Sequence, residues 1–186
     1  ARSHVNYADF LYKKRKDLDT AESYYQRAIA ADPDDAYGLD SYAIFLWQGR
    51  RDLDAAESFY KRTIAADPNN DTAIGNYANF LCDERMDFDT AERLYKRAIA
   101  TNPNEINHLG NYARLLLSRG ELVQGLELVE RAISLLPTRR PDEVDLECWM
   151  YLYCCAAPAR RNNAVKQLHH LVTAKQLDTD DWDFSG

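Results

Sequence analysis

The sequence contains few residues that break helices or form disulfides: its 186 residues include 7 glycines, 6 prolines and 4 cysteines. Scarce glycine and proline favour helices over a fold that depends on many tight turns. The cysteines have no regular spacing, and Cys154 and Cys155 are adjacent. This pattern argues against a disulfide framework, and it leads us to expect a reducing, cytoplasmic location.

Positive charge is also scarce, and long apolar runs are missing. The 30 acidic and 23 basic residues give a formal net charge of −7. Sequence-independent binding of nucleic acid requires a basic surface, so this class of function is not predicted. No stretch approaches the roughly 18 apolar residues of a membrane-spanning helix, so we predict no membrane segment. Because the chain begins with Ala1-Arg2-Ser3, without a start methionine or a signal-peptide pattern, we expect it to be part of a longer protein.

The motifs of common catalytic, cofactor and metal sites are absent as well. The sequence has no phosphate-binding glycine loop, no nucleophile elbow and no H-E-x-x-H motif. Cys148, Cys154 and Cys155 precede His169 and His170, but they form no C-x-x-C pair. In an apolar helical run, such cysteines behave as small hydrophobic residues. We therefore predict no enzyme, no cofactor and no metal site.

The sequence does contain an internal repeat with a period of 35 residues. A six-residue block occurs four times in phase, at residues 6–11 (NYADFL), 41–46 (SYAIFL), 76–81 (NYANFL) and 111–116 (NYARLL). A second block, AESYYQRAI from Ala21, is echoed from Ala56 and from Ala91, and a proline follows each copy. The fourth copy closes at Pro137, one residue early. Four phased copies predict a repeat architecture.

Each copy is expected to form two helices. In the second helix, Ala21 and Tyr25 lie on one face at helical spacing. We expect Asp19 and Glu22 to form a capping box at its start, and the Asp-Pro or Asn-Pro dipeptide marks its end. Small residues such as Ala8 and its copies predict that neighbouring helices cross closely. The equivalent acidic pairs are Asp54 with Glu57 and Asp89 with Glu92.

These features resemble the tetratricopeptide repeat family. That family places a small, an aromatic and a small residue along its second helix, followed by proline, as in Ala91, Tyr95, Ala98 and Pro103. Two features depart from the family pattern. The first three units carry an extra residue, which we assign to the turn between their helices. The fourth unit has Gly125 and Val129 where alanine and an aromatic residue are expected.

The resemblance implies an all-α, right-handed solenoid of about five antiparallel helix pairs. A divergent fifth pair is expected to cap the array, as the terminal repeat of a solenoid must. The predicted domains are four repeats at about 1–33, 34–68, 69–103 and 104–137, the fifth pair at 138–176, and an acidic tail at 177–186.

The resemblance also implies a concave groove lined by the first helix of each unit. The asparagines among the groove positions suit an extended peptide, because each amide offers a donor and an acceptor; alternatively, they hydrogen-bond between adjacent helices. Asp9 and Asp40 would repel an acidic peptide tail, so we expect a partner with basic or apolar anchors. The predicted partner-binding residues are Asn6, Tyr37, Ser41, Ile44, Thr72, Asn76, Asn79, Asn107, Asn111 and Arg114.

The predicted function is a scaffold that binds a protein or peptide partner in this groove. One alternative is a structural or self-assembly module of a larger protein. Recognition of RNA, as in the related pentatricopeptide units, is disfavoured by the acidic composition. Basic residues at 13–16, at 50–51, and at Arg85 and Arg119 are assigned to inter-helix turns, where they form either a basic edge or a solvated surface.

Overall fold

The computed structural model describes residues 1–135, which form eight α-helices and contain no strand. Consecutive helices pack in pairs, α1 with α2, α3 with α4, α5 with α6 and α7 with α8, as in an all-α solenoid. The predicted fifth pair and the acidic tail lie outside the described residues. The helices are α1 Arg2–Phe10, α2 Leu18–Ala31, α3 Ala36–Ile44, α4 Leu53–Ala66, α5 Asp71–Phe80, α6 Phe88–Thr101, α7 Ile106–Ser118 and α8 Leu122–Leu135.

Two compact units divide the chain. The first, Ala1–Thr101, holds α1 to α6 and therefore the first three repeats. The second begins at Asn102 and holds α7 and α8, the helices of the fourth repeat.

The extra residue of each of the first three repeats lies within the first helix rather than in the turn after it. The helices α1, α3 and α5 continue directly into π-helical turns at Leu11–Arg15, Phe45–Arg50 and Leu81–Arg85. A π turn closes its hydrogen bond over one more residue than an α turn, so it absorbs an insertion without ending the helix. The prediction that this residue lengthens the inter-helix turn was therefore wrong.

Each π-helical turn ends at a residue in the left-handed backbone region. Lys16, Arg51 and Met86 have φ values of 57°, 58° and 54°, and Gly120 has φ 80° in the fourth repeat. This conformation costs a residue with a side chain roughly 1–2 kcal/mol, whereas glycine adopts it freely. The first three repeats thus tolerate a strained residue where the fourth repeat has glycine.

The second helices begin two residues earlier than the capping prediction required. Asp17 Oδ1 accepts a hydrogen bond from Thr20 N at 3.2 Å, and Asp52 Oδ1 accepts one from Ala55 N at 3.1 Å. Asp87 plays the same part in the third repeat. The proposed cap at Asp19 was therefore wrong: Asp19 lies inside the first turn of α2 and is free to contact another repeat.

Small and aromatic residues alternate in the core, as the repeat pattern predicts. Ala8, Ala43 and Ala78 are fully buried on the first helices, which confirms that neighbouring helices cross closely there. The second helices contribute fully buried aromatic rings. These are Tyr25, Tyr60 and Tyr95.

Candidate partner-binding surface

The sequence-predicted binding residues all lie on the first helices of the repeats and none lies in the core. Asn6, Tyr37, Thr72 and Asn107 are exposed, and the other six are half-buried. Those on α1, α3 and α5 belong to the first compact unit and are called here the first-helix face. Its members are Asn6, Tyr37, Ser41, Ile44, Thr72, Asn76 and Asn79. In the second unit, α7 carries Asn107, Asn111 and Arg114.

Hydrogen bonds along the first-helix face join adjacent repeats. The Tyr37 hydroxyl on α3 donates to Asn6 Oδ1 on α1 at 3.2 Å. The Asn76 amide on α5 donates to Asp40 Oδ2 on α3 at 2.9 Å. Asn6 and Asn76 therefore do what the alternative hypothesis states: they hydrogen-bond between adjacent helices.

A third asparagine of this face is bonded within its own repeat. Asn79 Oδ1 on α5 accepts a hydrogen bond from the Tyr95 hydroxyl on α6 at 2.5 Å. One polar group remains on each of the three asparagines without a partner among residues 1–135: the amide nitrogens of Asn6 and Asn79 and the carbonyl oxygen of Asn76. Donors and acceptors of this kind can pair with the backbone of an extended peptide.

The buried tyrosines of the second helices differ in whether the first helix of the same repeat offers their hydroxyl groups a hydrogen-bond acceptor. The Tyr25 hydroxyl donates to Asp9, just as Tyr95 donates to Asn79. In the second repeat the corresponding position is Ile44, which accepts no hydrogen bond, and the Tyr60 hydroxyl is buried without a partner. Burial, then the charge of Asp40, raises the pKa of Tyr60 above its usual range. The second repeat thus lacks the hydrogen bond between tyrosine and first helix that the first and third repeats make.

Asp40 carries an unusually placed carboxyl group on α3, one helical turn before Ile44. Its Oδ2 atom accepts the bond from Asn76, but its Oδ1 atom is buried without a partner. Burial raises the pKa of Asp40 to about 6, against the opposing effect of the Asn76 hydrogen bond. At neutral pH this carboxylate is poorly satisfied within the protein, so a cationic group of a ligand would improve its environment.

The basic residues of the second and third repeats do not form a free basic edge. Arg50 lies 2.5 Å from Asp19 and 2.7 Å from Glu22 of the preceding repeat. Arg51 forms a bidentate pair with Glu84, with nitrogen–oxygen distances of 2.7 and 2.9 Å. These pairs hold neighbouring repeats together and neutralise the arginines.

The ion pairs between Arg50 and the preceding repeat recur 35 residues later. Arg85 lies 2.5 Å from Asp54 and 2.8 Å from Glu57. Two of the three acidic pairs that the sequence suggested as helix caps are therefore the ion-pair partners of these arginines. The recurrence of arginine at 15, 50 and 85 in phase with the acids could have indicated this contact from the sequence.

Other kinds of site find no support in the part of the chain that the structure describes. None of its helices combines the length and apolar character needed to cross a membrane. Across residues 1–135 there is also no cluster of three or more His, Cys, Asp or Glu side chains suited to a metal ion. The cysteines and histidines considered for zinc lie outside these residues.

Comparison with known proteins gives a family and a set of similar folds. A family model described as tetratricopeptide repeat matches residues 1–36, 11–71 and 84–142. A search of curated protein sequences returned no significant match.

Three solved structures illustrate the similarity in fold. PilF from Pseudomonas aeruginosa is 20% identical, with 95% of this chain and 76% of that chain covered and a TM-score of 0.75. PilW, described as a widely conserved type IV pilus biogenesis factor, is 19% identical, with 91% and 77% covered and a TM-score of 0.73. MamA is 19% identical, with 91% and 94% covered and a TM-score of 0.66. At these identities the likeness concerns the fold alone.

Proposed function

Since the chain belongs to the tetratricopeptide repeat family, whose members generally serve as scaffolds for protein partners, we propose that its first-helix face binds an extended peptide segment of a partner. The observation that carries this proposal is the set of asparagines Asn6, Asn76 and Asn79. Asn6 lies on α1, and Asn76 and Asn79 lie on α5. Each keeps one amide group unpaired among the described residues. A peptide backbone supplies complementary groups to all three.

The charge of this face favours a partner with basic or apolar anchors. Asp9 and Asp40 bring carboxyl groups to the first and second repeats, and Asp40 Oδ1 is unsatisfied. Ile44, half-buried one turn after Asp40, offers an apolar contact. A lysine or arginine of the peptide would approach the carboxylates, whereas an acidic peptide would be repelled.

Two related proposals accompany this function. We propose that the chain acts by binding rather than by catalysis, as tetratricopeptide repeats generally do. We also propose a reducing compartment such as the cytoplasm, because the four cysteines are irregularly spaced and Cys154 and Cys155 are adjacent.

The test uses a panel of synthetic peptides with basic, apolar or acidic anchors, titrated against the full chain and followed by fluorescence anisotropy. We expect saturable binding of basic or apolar peptides and none of acidic ones. Asn79→Ala should then weaken binding about tenfold, the effect of losing about 1.4 kcal/mol.

Tyr95→Phe is the matched control, because it breaks the same Asn79–Tyr95 hydrogen bond but leaves the amide in place. If both variants bind as tightly as the native chain, or if acidic peptides bind best, the proposed site is wrong. Equal weakening by both variants would show that the hydrogen bond maintains the surface and that the amide does not contact the ligand.

A further inference from the structure

The second repeat carries a carboxyl group at a position where the other three repeats have valine or glycine. Asp40 on α3 corresponds to Val5, Gly75 and Gly110 at intervals of 35 residues. Its repeat lies between two described repeats, and α3 contacts both α1 and α5. The helices on both sides of this carboxyl group are therefore known.

The single acids of α1 and α3 differ in whether their oxygen atoms are already paired. Asp9 Oδ1 accepts from the Tyr25 hydroxyl, and Asp9 Oδ2 accepts from Lys13 Nζ at 3.3 Å. Asp40 Oδ2 accepts from the Asn76 amide, whereas Asp40 Oδ1 is buried without a partner among residues 1–135. A cationic ligand therefore gains more from Asp40 than from Asp9, because the unpaired oxygen belongs to Asp40.

Two further oxygen atoms close to Asp40 lack a partner in the part of the chain that the structure describes. The Asn76 amide donates to Asp40 and so brings its own carbonyl oxygen to the same place. The Tyr60 hydroxyl on α4 is buried, and burial, then the charge of Asp40, raises the pKa of that hydroxyl. Oxygen acceptors thus gather where α3, α4 and α5 meet, which suits a group with several N–H donors.

We propose that Asp40, Asn76 and Ile44 form a subsite for a lysine side chain of the partner peptide. The ammonium would donate to Asp40 Oδ1 and to the Asn76 carbonyl oxygen. The methylene stem would lie against Ile44, which is half-buried one turn after Asp40. This subsite rests on the proposed function and deepens it, because it assigns the basic anchor of the peptide to one residue type and one repeat.

The free oxygen atoms favour lysine over arginine. A guanidinium pairs best with both oxygens of one carboxylate, in a planar fork. Asp40 offers Oδ1 alone, since Oδ2 is held by Asn76. Because Oδ1 is enclosed in the free chain, neighbouring side chains must shift to admit a cation, and a compact ammonium requires the smaller shift. Hydrogen bonds to more than one oxygen offset the cost of desolvating the ammonium.

The first test uses n-butylammonium, a lysine side chain without its backbone, titrated against the full, isotope-labelled chain at neutral pH. The side-chain amide signals of Asn76 report binding in nuclear magnetic resonance spectra. We expect a saturable shift in the native chain and none in Asp40→Asn. The arginine analogue n-propylguanidinium should bind the native chain at least about threefold more weakly.

Asp34→Asn is the matched control, because it removes one charge from the exposed loop before α3. It should bind n-butylammonium within about twofold of the native chain, and circular dichroism establishes that each variant is folded. No saturable shift in the native chain, or equal or tighter binding of n-propylguanidinium, would overturn the lysine subsite. Loss of the shift in Asp9→Asn but not in Asp40→Asn would also overturn it by placing the cation in the first repeat.

Short alanine peptides that carry a single lysine or norleucine separate this inference from the proposed function. The lysine peptide should bind the native chain about tenfold more tightly than the norleucine peptide, and Asp40→Asn should abolish the difference. Peptide binding that Asp40→Asn does not change would leave the proposed function standing and overturn the subsite.

Two other results identify the source of the cation. Binding of n-butylammonium without binding of either peptide would support the subsite and count against an extended peptide on the first-helix face. Self-association of the native chain in sedimentation, lost in Asp40→Asn, would overturn the assignment to a partner by showing that a second copy supplies the lysine.

Discussion

The fourth repeat builds the same helix pair as the first three from a sequence that is one residue shorter. In the first compact unit, each first helix ends in a π-helical turn and a left-handed residue with a side chain. In the second unit, α7 runs to Ser118 without a π turn, and Gly120 takes the left-handed position. The missing residue thus changes both the end of the first helix and the residue type that follows it.

The consequence extends to the second helix of the pair. Gly125 on α8 stands where the other repeats have a buried alanine, and a Cβ atom there would lie 2.7 Å from the Leu117 side chain. In the first unit the equivalent residues are the fully buried Ala21, Ala56 and Ala91, so the packing there accommodates a Cβ atom. The comparison indicates that the way the first helix ends and the size of the residue at the small position of the second helix depend on each other.

The fourth repeat also differs at the position where the second helices of the other repeats have a buried tyrosine. Tyr25 and Tyr95 donate their hydroxyl protons to Asp9 and Asn79 on the first helix. The fourth repeat has Arg114 at that first-helix position, and an arginine cannot accept a hydrogen bond. Val129, fully buried, fills the place of the tyrosine without bringing in a hydroxyl group.

The largest expected effect concerns Asp40, which stands where the third and fourth repeats have Gly75 and Gly110. Its pKa of about 6 in the folded chain exceeds the unfolded value of 3.8, so its favourable contribution exists below about pH 4 and is lost as the pH rises through 6. Asp40→Asn should therefore stabilise the protein by about 2–3 kcal/mol at pH 7 and by little at pH 4. Urea unfolding at both pH values measures this.

Asp34→Asn, which removes an exposed charge of the neighbouring loop, serves as the control for Asp40→Asn and should change stability little at either pH. If Asp40→Asn destabilised the chain at pH 7, the assignment of a poorly satisfied carboxylate would be wrong.

The next largest effect tests the coupling within the fourth repeat. Gly125→Ala should destabilise the chain by about 2 kcal/mol, because the new methyl group overlaps Leu117. Adding Leu117→Ala should recover the loss that is due to the overlap. A gain of about 1 kcal/mol from Gly125→Ala, as at an open helical position, would contradict the coupling. Thermal and urea unfolding decide between these outcomes.

A smaller effect separates the tyrosines of the first unit. Tyr25→Phe and Tyr95→Phe should each lose about 1 kcal/mol of stability with their hydrogen bonds. Tyr60→Phe should be neutral or stabilising, since the Tyr60 hydroxyl is buried without a partner. Equal losses in all three variants, measured by urea unfolding, would show that Tyr60 has an acceptor after all.

The smallest effect tests the left-handed residue. Lys16→Gly should stabilise the first repeat by about 0.5–1 kcal/mol, because glycine adopts its φ of 57° freely. Lys14→Gly, within the π-helical turn, should instead destabilise it by a similar amount. Thermal unfolding is the measurement, and two changes of the same sign would argue against backbone strain at Lys16.

Much of the fold followed from the 35-residue period, because small and aromatic residues at helical spacing constrain which faces are buried. The π-helical turn did not follow, since an inserted residue can lengthen a helix or a loop with the same sequence. The cap was misplaced because Asp17 and Asp19 are both acids near the same helix start, and only the backbone distinguishes them.

The candidate site was predictable to a lesser degree. Position within the repeat was enough to place Asn6, Asn76 and Asn79 on accessible faces. Their bonds to Tyr37, Asp40 and Tyr95 depend on how helices from different parts of the sequence approach each other. Such contacts decide which amide group remains for a ligand, and the period alone does not reveal them.

The central claim is that a partner peptide lies on the first-helix face, and amide chemical shifts of the labelled chain with a saturating peptide ligand test it most directly. We predict the largest changes at first-helix residues such as Asn6, Ile44 and Asn79, with small changes at exposed positions of the second helices such as Ala30 and Ala65. The largest changes on the second helices, with the first helices undisturbed, would contradict the account.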